Sequence, residues 1–289
     1  MRSSPASNRG AGASDAAASG PARARVASGG VRLPAGSVLG TLRGWRETLL
    51  VVAALLATLQ LGSLVVPKYI LPDVPAIAQA AREVLVSDAR DIAATLLRLT
   101  EGVAAAFALG SLLGVAMGAV PAVARYARPL LNIMMAVPAL NWILFAILWF
   151  GSAEVRVFFV VVVISLPFYA LNVYEGIRGV PADLVEAVEA FRPTRTQAIR
   201  ILLLPHTVPY IIMTTRSVLG YAIRITIFAE LIGTAIGIGA RLNAAQSQFR
   251  IDAVFAWTAV LVVINFVLQA AVERLDRRLL RWRPEQALR

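Results

Sequence analysis

The chain has 289 residues, 58% of them hydrophobic and 16% charged, with a mean hydropathy of +0.71. A soluble domain has too little interior for that much apolar surface, so a lipid bilayer is the expected solvent. The formal charge of +11 is almost wholly arginine, since Lys68 is the only lysine; the absence of cysteine and the single histidine, His206, exclude disulfides, thiolate catalysis and multi-histidine or cysteine-ligated metal sites. The arginines cluster at the ends of apolar runs rather than along one amphipathic stripe. That is the placement of membrane-flanking cations, and no nucleic-acid partner is expected.

Residues 1 to 44 are rich in Ala, Ser, Gly and Arg, with Asp15 the only acid among the first 30. They can bury little apolar area against the cost of chain entropy, so they read as a disordered cytoplasmic tail. An organellar transit peptide has a similar composition, which a Gly-rich bacterial tail explains equally well. A bilayer core of about 30 Å takes about 20 apolar residues in a helix. Six runs qualify: residues 48–66, stopped by Pro67; 101–120; 129–150, which Pro138 should kink; 156–174; 210–233; and 253–272. In the second, Gly110, Gly114 and Gly118 recur every four residues, a spacing that lets another helix approach closely. Residues 72–99 carry charges every few positions and read as surface or interfacial helices. Residues 237–252 read as a polar loop.

Arginine placement sets the orientation. With the N-terminus inside, the cytoplasm receives the tail, the turn bearing Arg125 and Arg128, and the C-terminal "ERLDRRLLRWRPEQALR". The outer segments carry arginines nearly balanced by acids. The bias favours both termini inside, and it places residues 176–209 in the cytoplasm.

That segment, "VPADLVEAVEAFRPTRTQAIRILLLPHTVPYI", is the busiest polar stretch of the chain. Pro181, Asp183 and the apolar residues Leu184, Val185, Val188 and Phe191 predict a short amphipathic helix. Pro193 disfavours a helical Arg192 and ends it. "TRTQAIRILLL" predicts a second helix, which Pro205 and Pro209 should end before the fifth span. Two short helices and a bend form either a docking surface or a bare connector.

The stretch resembles the EAA loop of ABC-importer permeases, carried here by Glu186, Ala187, Val188, Arg192, Ile201, Leu204 and Pro205. Further similarity lies in "YILPDVPAI", "AVPALNWILFAILWFG", "YEGIRGVPADLVEA", "FAELIGTAIGIGARL" and "RLDRRLLRWRP", so that it covers roughly residues 45 to 285. Among these permeases the chain looks most like the nitrate/sulfonate/taurine/bicarbonate group. The resemblance implies an all-α integral membrane protein of the type I importer kind, with both termini inside, in the bacterial inner membrane. It implies a homodimer served by a cytoplasmic ATPase subunit and a periplasmic or lipid-anchored solute-binding protein. The solute would be a small anion of the aliphatic sulfonate, taurine or nitrate class, or else another small organic solute, and no cofactor is expected. The hairpin would meet the ATPase through Glu186, Ala187, Val188, Arg192, Pro193, Ile201, Leu204 and Pro205. The chain has no G-x-x-x-x-G-K-[ST] phosphate loop, so ATP is expected to be handled by the partner.

One residue departs from the family pattern. Arg192 stands where the loop glycine belongs, and a left-handed turn costs arginine what it does not cost glycine. Either Pro193 pre-sets a different turn or the hairpin docks poorly; the intact flanking pattern favours the former. Within the spans, charges are expensive and draw attention. Glu230 matches a family glutamate and reads as structural or gating near the outer mouth. Arg224 has no counterpart in the family pattern; it reads either as a guanidinium for an oxyanion solute or as an inter-helix partner. Asn132, Asn141, Trp142, Asn172 and Tyr174 are further polar candidates on the pathway, or inter-helix hydrogen bonders. Met134, Met135 and His206 read as structural. An ion-driven carrier is the competing reading, but it would call for internal repeats, which the sequence does not show. A membrane enzyme lacks a catalytic set.

Overall fold

The computed structural model describes residues 37–279, and these contain helices and turns but no strand. Eleven helices follow one another: α1 (Ser37–Val65), α2 (Val74–Ser87), α3 (Ala89–Ala119), α4 (Pro121–Ala136), α5 (Ala139–Trp149), α6 (Ala153–Arg178), α7 (Ala182–Glu189), α8 (Arg195–Ala198), α9 (Leu204–Gly233), α10 (Ile238–Ser247) and α11 (Ile251–Leu279). A single π turn, Ile199–Leu203, joins α8 to α9. The chain forms two compact units that divide at Val52, inside α1. Of the first unit only the helical stretch from Ser37 is described; the architecture below is that of the second. The expected tail lies outside the described residues as far as residue 36, and from Ser37 the chain is already helical, because extending a formed helix fixes one residue for each bond gained.

Five helical segments are long and apolar enough to cross a membrane, and a sixth crossing is available if α4 and α5 are counted as one broken span. The predicted kink at Pro138 is a break: α4 and α5 meet at 94°. Val137 and Pro138 are extended, and Asn141 N–H turns back onto the Pro138 carbonyl, so helical bonding restarts rather than bends.

Two expectations need correction here. Residues 89–99 are not surface helix but the first three turns of α3, which runs unbroken to Ala119. Its buried stripe, Asp91, Thr95, Arg98, Gly102, Ala106, Gly110 and Gly114, keeps helical spacing from the charged end into the apolar one. The polar residues point inward because other polar groups meet them. Residues 237–252 are not a loop either, since Ile238–Ser247 is helix α10. Its start is permitted by Gly237, at φ 122°, with no room for a Cβ against the Glu230 carboxylate.

The core is the seam between α3 and α6, with α9 on its other side. A Cβ on Gly110 would lie 2.7 Å from the Leu166 carbonyl oxygen, and one on Gly114 2.6 Å from that of Ala170, so α3 approaches the α6 backbone as the glycine spacing predicts. Val157, Val160, Val161, Tyr169, Ala222 and Ile223 fill the rest. A smaller core of Val84, Ile238, Trp257 and Val260 fastens α2 and α10 to α11. Asp73 caps α2 by accepting from Ala76 N–H, and the Lys68 ammonium at 2.9 Å holds its carboxyl below the usual range.

At the end where α3 and α6 begin and α9 finishes, the helices are joined by charge. Arg98, 5% exposed, donates from Nη1 to Glu230 Oε1 at 2.7 Å and to the Ile236 carbonyl at 2.7 Å. Its Nε and Nη2 fork onto Glu154 at 2.5 Å each. Glu230 is fully buried and also accepts from Thr95 Oγ1 and from Gly239 N–H at 3.0 Å. Asp91 accepts from Gly237 N–H at 2.7 Å and from Arg241 Nε at 2.9 Å. That carboxylate raises the Arg241 guanidinium pKa still further.

Removing one member of such a network leaves a buried charge alone, at a typical cost of about 3–5 kcal/mol, whereas replacing both partners by apolar groups is often nearly neutral. Arg98→Leu is therefore expected to lower the thermal midpoint of the purified protein sharply, and Arg98→Leu with Glu230→Leu to restore much of it. A double variant no better than the single one would contradict the pairing.

Candidate coupling hairpin and solute pathway

The hairpin is built from local signals. Pro181 opens α7, Asp183 sits in its first turn, and no α7 residue is buried. At its end Phe191 N–H bonds the Val188 carbonyl and Arg192 N–H the Glu189 carbonyl at 2.8 Å. Arg192 then takes φ 47°, the left-handed region. The expectation that Pro193 would replace this turn is thus overturned: arginine itself adopts the conformation that glycine favours, with the steric cost of its Cβ. The second arm starts with a capping box that sequence reading overlooked. Thr194 N–H bonds Gln197 Oε1 at 2.8 Å and Gln197 N–H returns to Thr194 Oγ1 at 3.4 Å, the T-x-x-Q spacing being the signal.

Pro205 and Pro209 do not end this arm. α8, the π turn and α9 form one continuous helical segment, Thr196–Gly233. Leu204 N–H reaches back five residues to the Ile199 carbonyl, and this widened turn makes room for the Pro205 ring. Leu184 and Val188 of α7 face Ile201, Leu202, Pro205 and His206 across a cleft of about 350 Å³. Glu186 and Ala187 point away from it and are exposed, as are Phe191 (86%) and Leu204 (54%). The Glu186 carboxylate has no ion pair or hydrogen bond among the described residues. The hairpin therefore presents an acidic face, Asp183, Glu186 and Glu189, beside exposed apolar side chains, and none of the described residues pairs with the Glu186 carboxylate.

The pathway candidates separate. Glu230 lies in the buried network above, where its carboxylate, from α9, is held by Thr95 and Arg98 of α3 and by the Gly239 N–H of α10. Arg224 is exposed, and its guanidinium has no carboxylate or carbonyl partner among the described residues. It falls on one stripe of α9 with Met213, Ser217, Tyr221 and Phe228, all exposed. Asn172 is spent on its own helix, donating to the Phe168 carbonyl at 2.8 Å. Trp142 spans the α4–α5 break by donating to the Met134 carbonyl at 3.4 Å, while Asn141 is exposed beside that break. Asn132 and Tyr174 line a cavity with Arg125, Arg128 and Arg178. Asp91, Thr95, Arg98, Glu154 and Arg241 were missed as site residues. The four- and three-residue steps from Asp91 to Thr95 to Arg98 to Gly102 were the available signal, since they extend the apolar stripe of α3.

Known proteins share the sequence pattern and the fold. The sequence profile of the binding-protein-dependent transport system inner membrane component matches residues 106–281. The chain is 30% identical over 245 residues to the putative aliphatic sulfonates transport permease protein SsuC of Bacillus subtilis (strain 168), covering 83% of this chain and 88% of that one. It is 29% identical over 195 residues to the taurine transport system permease protein TauC of Escherichia coli (strain K12), covering 67% and 70%. In fold it is similar to a chain of the inward-facing MetNI methionine ABC transporter, with a TM-score of 0.59 at 19% identity, over 66% of this chain and 94% of that one. With a matching profile over more than half its length and a permease relative aligned nearly end to end, the chain belongs to the binding-protein-dependent transport system inner membrane components, the multi-span permease subunits of ABC importers in the bacterial inner membrane.

Proposed function

We propose that this permease carries a small sulfonate-class anion and draws its energy from a separate ATPase docked on the α7–α8 hairpin. The observation that carries the reading is the exposed hairpin itself. Glu186, Leu204 and Phe191 stand free on a segment with apolar area but no intramolecular cover. Surfaces of that kind on a folded chain are usually partner sites. Hydrolysis in the partner would reach the membrane as rigid-body motion, because the second arm continues into α9 without a flexible joint. The solute class is supported by the sulfonate and taurine relatives and by Arg224, whose guanidinium matches an oxyanion in shape and charge. A second copy of the chain would cover the exposed α9 stripe and so place two Arg224 residues along one path. A solute-binding protein would deliver the anion from the outer side, where α2 and α10 lie.

The orientation is tested first. A reporter active only in the cytoplasm is expected to work when fused after Arg289 and to stay silent when inserted at Gln246; activity at Gln246 overturns the inside placement of both termini.

Glu186→Lys is expected to lose the ATPase on co-purification and to abolish uptake while the chain still inserts. Arg192→Gly serves as its control, since glycine at φ 47° removes a left-handed cost of about 1–2 kcal/mol and should leave coupling intact or improve it. Full retention of the ATPase and of transport by Glu186→Lys would reduce the hairpin to a connector.

Arg224→Leu is expected to assemble normally, because leucine is favourable at a helix centre. Taurine or ethanesulfonate uptake should fall at least about tenfold, the worth of one charge-assisted hydrogen bond, while stimulation of the ATPase by the docked binding protein survives. Undiminished uptake would remove Arg224 from the pathway.

A further inference from the structure

The α3–α4 turn and the last turn of α6 enclose a cavity of about 490 Å³ that the transport reading does not use. Three guanidinium groups line it: Arg125 and Arg128, three residues apart on one face of α4, and Arg178 from the end of α6. No carboxylate lines it. Among the described residues none of the three guanidinium groups has an ion pair or hydrogen bond; that of Arg128 lies instead over the Tyr174 ring, 5.3 Å from its centroid. That stacking holds one guanidinium in place with its N–H edges unused. Met117, Pro121, Ala124 and Pro129 supply an apolar wall, and Asn132 adds a neutral polar group. Three like charges gathered around one concavity repel one another, and an anion seated between them relieves that repulsion.

We propose that this cavity binds the phosphate headgroup of an anionic phospholipid of the cytoplasmic leaflet. The choice of a lipid follows from position: α6 ends at Arg178, with three residues between it and the hairpin helix α7, and the α3–α4 turn lies beside that end, so on the orientation proposed above the cavity opens at headgroup depth. Basic pockets between spanning helices on that side are suited to anionic headgroups. The apolar wall fits the glycerol and first acyl carbons, which a free oxyanion does not possess. Pairing between these arginines and the headgroup would tie the α4 and α6 ends together beside the coupling segment, so lipid composition would bear on the rigidity of the hairpin's base.

The test uses the full chain in neutral detergent, with native mass spectrometry counting retained phosphatidylglycerol and phosphatidylcholine of equal acyl length. The wild type is expected to retain phosphatidylglycerol preferentially. The variant Arg125→Ala/Arg128→Ala/Arg178→Ala should lower that retention about tenfold or more, as expected for losing surface cations near a headgroup, with phosphatidylcholine unchanged. Arg274→Ala/Arg277→Ala, which removes cations elsewhere at the C-terminal end, should keep the preference. Should the triple variant not fold, Arg128→Lys keeps the charge but loses the planar fork, and a several-fold loss is expected. Equal retention of the two lipids, or of phosphatidylglycerol by wild type and variant, overturns the proposal. Displacement of phosphatidylglycerol by millimolar inorganic phosphate or ethanesulfonate would assign the site to a free oxyanion and overturn the lipid assignment. Because retention is read on the permease without ATPase or solute, it stands or falls separately from the coupling reading.

Discussion

The structure depends on a charge that water cannot reach. Glu230 is fully buried at the end of α9, and only the Arg98 guanidinium, Thr95 and the Gly239 N–H make that position tolerable. An uncompensated carboxylate there would cost more than most single contacts in the protein can offset. Satisfying it obliges α3, α6, α9 and the start of α10 to meet at one point, and this fixes how deep α3 sits against its neighbours. The close glycine approach along the α3–α6 seam then follows, because the register is already set at the charged end. Such a network is weak as a source of stability but strong as a means of specifying one arrangement over others, since any slip of α3 strands a charge.

The opposite end of the molecule is built on a different principle. The network end satisfies its polar groups internally, whereas the hairpin leaves its acid and its apolar side chains exposed. It also stores strain, since Arg192 holds a left-handed turn without the freedom of glycine. What makes this a credible place to apply force is the join to α9. A π turn absorbs Pro205, so displacement of the hairpin passes into the spanning helix rather than into a loop. At its far end the same helix carries Glu230. One rigid element therefore connects the exposed hairpin with the buried network, and Arg224 lies between them.

The broken α4–α5 pair and the basic cavity beside α4 bear on the same mechanics. A 94° break cannot be a simple spanning rod, and it leaves Asn141 and Asn132 on separate helices with different surroundings. Among the described residues the guanidinium groups of Arg125 and Arg128, at the start of α4, have no carboxylate or hydrogen-bond partner, which contrasts with the complete pairing of Arg98. Among the described residues the two ends thus differ: the network end pairs its charges within the chain, and the hairpin end leaves three guanidinium groups without a carboxylate.

Composition and periodicity alone determined that the chain is helical and membrane-spanning, where the apolar runs lie, that glycines on α3 admit a close neighbour, and that residues 180–211 form a short amphipathic hairpin. These are local properties, written in spacing and in the positions of proline and arginine. Three matters were decided only by tertiary structure. Asp91, Thr95 and Arg98 looked like a solvated face because charge ordinarily means surface, and they are interior because partners more than a hundred residues away meet them: the Gly237 N–H and the Arg241 guanidinium for Asp91, the Glu230 carboxylate for Thr95 and Arg98. Residues 238–247 looked like a loop, and they are helix because their first N–H groups find buried acceptors in Thr95 and Glu230. Pro205 and Pro209 looked like terminators, yet the helix continues, because a single widened turn and packing against α6 offset the bonds that proline cannot make. In each case a local preference was outweighed by partners distant in sequence, which no reading along the chain can supply.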